Sequence, residues 1–147
     1  MKKKSMNIYI LIKRIFDIIF GLIGIIILIP CSIIVFIGNI CTGDYHCIFL
    51  IQKRIGLKGR EFYLFKYRSM VVNADEELTK ILKENKKMAK EYKINKKIKN
   101  DPRITKFGKF MRKIYLDELP QVINVFIGNM SLIGNRPYLP REKKEMS

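Results

Sequence analysis

The sequence predicts a mainly helical α+β fold in two unequal parts, one suited to lipid and one to water. Three observations predict it. No charged side chain occurs from Ile18 to Ile40. Residues around Gly56-Leu57-Lys58-Gly59 alternate as in a short β-hairpin. Beyond Asn73, apolar residues recur at helical spacing. A chain of 147 residues suits one membrane element plus one small domain.

The charge-free run matches the roughly 20 residues that cross a bilayer core as a helix. A signal peptide has a shorter apolar region and small residues at its cleavage site, and Gly38-Asn39-Ile40 is a poor one. Pro30 lies near the middle of the run and removes a backbone donor, so it kinks or breaks the helix. Ser32 is placed to offer a hydroxyl to the carbonyls this frees. Basic residues flank both ends: Lys13 and Arg14 before, Lys53, Arg54, Lys58 and Arg60 after. The positive-inside rule asks for both flanks in the cytoplasm. A helix that dips in and returns satisfies this, while a kinked spanning anchor satisfies the length alone, and the residues leave both open. Asp17 is expected to pair with Lys13 or Arg14 at headgroup depth.

The formal charge of +16 calls for an acidic partner: anionic lipid, a phosphorylated substrate or nucleic acid. No nucleic-acid motif is present, and the apolar run serves such binding poorly. Cys31, Cys41 and Cys47 are odd in number and lack paired spacing, which argues against a disulfide framework. With His46 they fit no common zinc pattern.

Phe49 to Met70 reads as two strands around the glycine turn, with Phe62, Leu64 and Lys66 on one face and Tyr63, Phe65 and Tyr67 on the other. Asn73 to Lys99 reads as one helix, with Asn73 and Glu76 forming a capping box. Leu78, Ile81, Leu82, Met88, Ala89 and Tyr92 form its apolar face, and its lysines lean towards anionic headgroups. After Asp101-Pro102, the spacing of Ile104, Phe107, Met111 and Ile114 predicts another helix. Pro120 is tolerated only in a first turn, so a last helix starts close to Asp117. A carboxylate there is stabilised as the anion by free N–H groups and the helix dipole. Glu118 beside it completes a pair of the kind that binds Mg²⁺ together with phosphates.

Five motifs in order resemble the bacterial sugar transferase family, the monotopic polyprenyl-phosphate phosphoglycosyl transferases. Gln52-Lys53-Arg54-Ile55-Gly56 is similar to Q-x-R-x-G, and Lys66-Tyr67-Arg68-Ser69-Met70 to K-F/Y-R-S-M. Asp101 to Gly108 resembles D-P-R-I-T-x-x-G. Leu116 to Gln121 with Asn124-Val125 resembles L-D-E-L-P-Q-x-x-N-V, and Gly128 to Pro137 resembles G-D-M-S-L-V/I-G-P-R-P. Lys13-Arg14-Ile15-Phe16-Asp17 resembles the K-R-x-x-D that opens the family's membrane helix. Asn129, Asn135 and Ile29 depart from the family's aspartate, proline and serine.

The resemblance implies an N-terminal re-entrant membrane helix hairpin broken at Pro30, a short β-hairpin and amphipathic helices at the membrane interface. Residues 1–48 would form the basic segment and hairpin, and 49–147 the N-terminal portion of a cytoplasmic catalytic domain that is C-terminally truncated. It implies transfer of a sugar 1-phosphate from a UDP-sugar to polyprenyl (undecaprenyl) phosphate, releasing UMP. That is the first membrane step of exopolysaccharide, capsule or O-antigen synthesis at the cytoplasmic face of the bacterial inner membrane. By the same resemblance Asp117 is the nucleophile, and Glu118 with Asp117 holds Mg²⁺. Arg112 and Arg136 clamp phosphates, and anionic lipids are further partners. The expected truncation keeps open an alternative, a catalytically inactive relic acting as a membrane-anchored basic binding module.

Overall fold

The computed structural model describes residues 2–140, so the last seven residues of the expected cytoplasmic part lie outside the described ones. Helix α1 (Lys2–Cys41) leads into an antiparallel hairpin, β1 (Phe49–Ile55) and β2 (Glu61–Tyr67), joined by a 3-10 turn at Leu57–Gly59. Phe49 faces Tyr67 and Ile55 faces Glu61, around the turn expected at the glycines. Helices α2 (Ala74–Glu84), α3 (Lys86–Asn95), α4 (Lys106–Lys113) and α5 (Gln121–Ile127) follow, with a 3-10 turn at Leu116–Glu118 before α5.

Among the described residues, one helix is long and apolar enough to cross a membrane; it fits a membrane anchor, and only 17% of its most apolar stretch is buried. A core helix of a soluble domain would be mostly covered. Ile19, Leu22, Ile26, Ile29 and Ile33 stand exposed along it. The opposite stripe packs on the rest of the chain. At Gly24 an added Cβ would stand 2.7 Å from Val122 Cγ1, so glycine lets α1 and α5 approach closely. Leu28 and Val35 from this stripe form the core with Tyr67 and Met111, backed by Leu116, Leu119 and Val122.

The helix continues through Pro30, so the expected break into two membrane helices is replaced by a single element. A polar cluster gathers at that point. Ser32 Oγ donates to Leu28 O (2.8 Å) and bonds Tyr67 Oη (2.7 Å), and Tyr67 Oη also reaches Leu28 O (3.4 Å). These hydroxyls gather on Leu28 O rather than on Ile26 O, the carbonyl whose amide partner Pro30 removes, so the expected rescue of that carbonyl by Ser32 is replaced by a link to Tyr67.

α1 is fastened to the same domain at two places, about a third of the way along it and just past its C-terminal end. At the first, Arg14 donates to Val125 O (2.8 Å) and Phe126 O (2.7 Å). Asp17 does not pair with Lys13 or Arg14 as expected; its Oδ1 accepts from Ser131 Oγ (3.1 Å) and Leu132 N (3.0 Å). Beyond the C-terminal end Asp44 takes a bidentate pair from Arg68 (2.9 and 3.0 Å), which also donates to Cys47 O. The guanidinium holds the Asp44 carboxyl down at about 2 against some opposition from burial.

Strand β2 buries Phe62 and Leu64 as predicted, but Tyr67 breaks the alternation. It is buried because its ring meets Phe49 and its hydroxyl reaches α1. The free edge of β2 is occupied by a side chain. Fully buried Asn124 of α5 donates Nδ2 to Tyr63 O (2.6 Å) and accepts from Phe65 N at Oδ1 (3.0 Å).

The single helix expected over 73–99 is two. Asn85 leaves helical geometry, and its side chain accepts from Lys87 N and Met88 N, capping α3. Asn73 makes no side-chain cap, so the capping box is absent.

Candidate active site

The site is assembled where the end of β2 meets α4. Asp101 accepts from Arg103 N (3.0 Å), Nε (2.9 Å) and Nη2 (2.6 Å), and Arg103 Nη1 donates to Ala74 O. This buckle directs the chain past Ser69: Val71 N donates to Arg103 O and Thr105 N to Ser69 O. Thr105 then caps α4 by accepting from Gly108 N (2.9 Å). Gly108 is required by close approach, since a Cβ there would collide with Ser69 O and lie 2.8 Å from Thr105 Oγ1. In the last turn of α4, Arg112 Nε donates to Ser69 Oγ (2.9 Å).

Tyr115 reverses the chain in the left-handed region (φ 58), a costly conformation for a non-glycine residue. It delivers Leu116–Glu118, whose middle residue is Asp117. Asp117 therefore sits in a 3-10 turn, four residues before α5 begins at Gln121, and Pro120 takes the cap position of α5. The expected stabilisation of its anion by a helix terminus is overturned. Asp117 is buried, and desolvation raises its pKa. Lys66 pulls it back, Glu118 pushes it further up, and Arg112 offers a smaller opposing attraction.

Glu118 shifts the other way. Burial would raise it, but the hydrogen bond and charge of Lys66, with Arg136, hold it below the usual carboxylate range. Lys66 Nζ lies 3.0 Å and Arg136 Nη2 3.7 Å from Glu118, and both contacts fall on Oε1. Two neighbouring carboxyls driven apart in this way can take different roles at one pH.

Asp117 opens onto a cavity of about 550 Å³ that runs from Lys66 and Arg112 to Tyr92 and Lys96 of the α2–α3 region. Five cationic side chains line it, Arg54, Lys66, Lys96, Arg103 and Arg112, against the carboxylates of Asp75 and Asp117. Arg103 is held by Asp101 and Lys66 by Glu118, so the surplus rests on Arg54, Lys96 and Arg112, and it suits an anionic ligand of small-molecule size. Of the sequence-predicted residues, Asp117 and Arg112 share the cavity wall, and Glu118 pairs with the largely exposed Arg136. Lys66 was not foreseen as a site residue, although it alternates with Phe62 and Leu64 and so faces inward.

The carboxylates also bear on the expected Mg²⁺. Among the described residues no group of three or more His, Cys, Asp or Glu converges. The chain therefore offers two hard oxygen donors, with Glu118 Oε1 already shared by two cations. Adjacent carboxylates such as Asp117 and Glu118 are the donor type that Mg²⁺ takes, one or two at a time with water and phosphate completing its shell.

One domain thus carries an exposed apolar helix, a cavity rich in cationic side chains and a pair of adjacent carboxylates. The chain belongs to the bacterial sugar transferase family, whose sequence model matches residues 8–147. It is 40% identical over 131 residues to the undecaprenyl-phosphate galactose phosphotransferase of Salmonella typhimurium, covering 89% of this chain and 27% of that protein. It is 39% identical over 132 residues to the UDP-glucose:undecaprenyl-phosphate glucose-1-phosphate transferase of Xanthomonas campestris, covering 90% and 24%. It is 40% identical over 132 residues to a putative undecaprenyl-phosphate N-acetylgalactosaminyl 1-phosphate transferase of Bacillus subtilis, covering 90% and 65%. The chain thus spans about a quarter of the first two relatives.

Proposed function

We propose that the chain carries the reacting centre of a transferase that moves a sugar 1-phosphate from a UDP-sugar to polyprenyl phosphate, releasing UMP. The observation that carries this reading is Asp117 on the wall of a cationic cavity, with Glu118 next to it and held to Lys66 of the same wall. The names of the Salmonella and Xanthomonas relatives supply the acceptor, and the latter supplies a UDP-sugar donor.

Asp117 attacks the sugar-proximal phosphorus of the donor. A bond forms from its carboxylate oxygen to phosphorus, and the bond from that phosphorus to the bridging oxygen breaks, with UMP leaving on that oxygen. A phosphate oxygen of the polyprenyl acceptor then attacks the phosphosugar-enzyme, and Asp117 departs as a carboxylate. A raised pKa suits this role, since a more basic carboxylate is the better nucleophile so long as it is ionised. Arg112 and Lys66 face the transferring group and offset its charge; Arg136 reaches it from beside Glu118. Mg²⁺ held by Glu118 and Asp117 would neutralise phosphate oxygens and ease the departure of UMP.

The helix α1 is read as monotopic, with its exposed stripe in one leaflet and both ends at the cytoplasmic face of the inner membrane. Support comes from its attachments, because Arg14 and Asp17 on one side of Pro30 and Asp44 past the C-terminal end bind the same domain. Basic flanks favour the same side. Phosphate of a polyprenyl acceptor lies at that headgroup plane, and anionic lipids meet the surplus lysines.

The test is UMP release from UDP-glucose or UDP-galactose by the chain in nanodiscs containing undecaprenyl phosphate and Mg²⁺. Asp117→Asn abolishes release, and intact-mass analysis of the wild type shows a sugar-phosphate adduct. Membrane binding with neither adduct nor UMP would overturn the reading in favour of a binding module.

A further inference from the structure

We propose that Asp17, assisted by Arg14, is a positioning residue for Arg136, so that the apolar helix itself sets one wall of the phosphate site. The functional consequence rests on the transfer reading above; the geometry does not.

Asp17 is 5% exposed, and a carboxylate buried this far needs partners. It finds them outside its own helix, in Ser131 Oγ and Leu132 N. Arg14 lies three residues earlier, on the same helical face. Its two bonds go to Val125 O and Phe126 O in the last turn of α5, where positive charge is favoured, and Val125 O also accepts from Gly128 N (3.1 Å). Gly128 ends α5 with φ 88, and a Cβ there would lie 3.1 Å from the Arg14 guanidinium. One turn of α1 therefore grips the chain on both sides of this bend.

The next fixed point is Tyr138, which exchanges two backbone bonds of 2.9 Å with Ile55 at the end of β1. Only the five residues Ile133 to Pro137 lie between Leu132 and Tyr138. Arg136 is among them, and its guanidinium meets Glu118 at 3.7 Å. Its own side chain is 78% exposed, so packing around it does little to hold it. The fastening of the backbone at Leu132 and Tyr138 remains as the constraint. Leu132 and Ile133 also line an apolar cavity with Tyr9, Ile12 and Phe16 of α1, which extends the same contact. The charged groups facing this junction are Asp17 itself, Lys13 on the cavity wall and Arg14, which is committed to carbonyls.

The experiment is a double-mutant cycle on the full chain in nanodiscs, reading UMP release against UDP-glucose or UDP-galactose concentration. Asp17→Leu suits the apolar helix and cannot accept a hydrogen bond. It is expected to raise the donor KM about three- to tenfold with a smaller change in kcat, and Asp17→Asn, which keeps an acceptor, recovers part of the loss. With Arg136→Ala already in place, Asp17→Leu adds less than about twofold, because the group it positions is gone. Full multiplication of the two losses would overturn the proposal, since a general loss of fold does not depend on Arg136. Ser131→Ala, which leaves α1 untouched, gives the same pattern in weaker form. Hydrogen exchange supplies a readout independent of turnover. Asp17→Leu accelerates exchange across 130–137 and leaves 49–67 unchanged. Unchanged exchange at 130–137 sinks the positioning role even in an active enzyme. A wild type that releases no UMP while showing the exchange change sinks the transfer reading alone.

Discussion

Gly108→Ala sets two effects of known sign against each other. Alanine is a better helix former than glycine, so in the first turn of α4 it would ordinarily stabilise by at most about 1 kcal/mol. The new methyl, however, lands on Ser69 O and 2.8 Å from the carbon of that carbonyl. The obstacle is backbone, and Ser69 is held by bonds from Thr105 N and Arg112 Nε, so it cannot swing away as a flexible side chain would. Overpacking of this kind costs about 1–3 kcal/mol, and displacing α4 also threatens the Arg112–Ser69 bond, about 1 kcal/mol more. The net expectation is a loss of about 1–3 kcal/mol, which lowers Tm by roughly 3–10 °C for a chain of this size. Thermal unfolding of wild type and variant in the same detergent measures it. A Tm equal to or above that of the wild type would refute the reasoning, because helix propensity would then have outweighed the contact.

Three further outcomes follow from contacts of the same kind. Asn124→Leu removes both bonds to the β2 edge and leaves Tyr63 O and Phe65 N without those partners, so it should destabilise by about 2–4 kcal/mol in the same melts. Lys66→Met takes away a charge that lowers both Asp117 and Glu118, so the acid limb of the pH profile of kcat/KM should move to higher pH; an unmoved limb argues that neither carboxylate controls it. Asp44, held at about 2 against an ordinary 3.8, contributes stability that is full above pH 3.8 and lost as pH falls through about 2. Allowing for screening, Arg68→Met should cost about 1–2 kcal/mol near neutral pH and progressively less in acid, as denaturation at stepped pH would show.

The parts of the fold that were legible in the sequence are those written as periodicity. The charge-free run gave the apolar part of α1, though neither its extension back to Lys2 nor its continuity through Pro30, and alternation around Gly56 and Gly59 gave the hairpin. The division at Asn85 was obscured because apolar spacing carries on across it; the signal lay in an asparagine able to cap the two residues that follow. Asp17 was misread because a carboxylate near two cations suggests a local pair, whereas its partners are 114 and 115 residues away. At the candidate site the residue types were legible and the electrostatics were not. Burial sets the direction of the Asp117 shift, and burial follows from packing that the local sequence does not display. Lys66 carried an inward-facing position in an alternating strand, and reading a lysine there as buried required knowing that Glu118 would meet it.

Asn124 has a consequence beyond its own energy. An isolated two-stranded ribbon is barely stable in water and offers its unpaired margins to any neighbour. Here a carboxamide imitates one peptide unit of a third strand along β2, and Tyr138 does the same with real backbone at the tip of β1. Growth of the ribbon is halted on either side by pieces of its own chain. Damage at either stopper should therefore announce itself as self-association before it appears as lost helix.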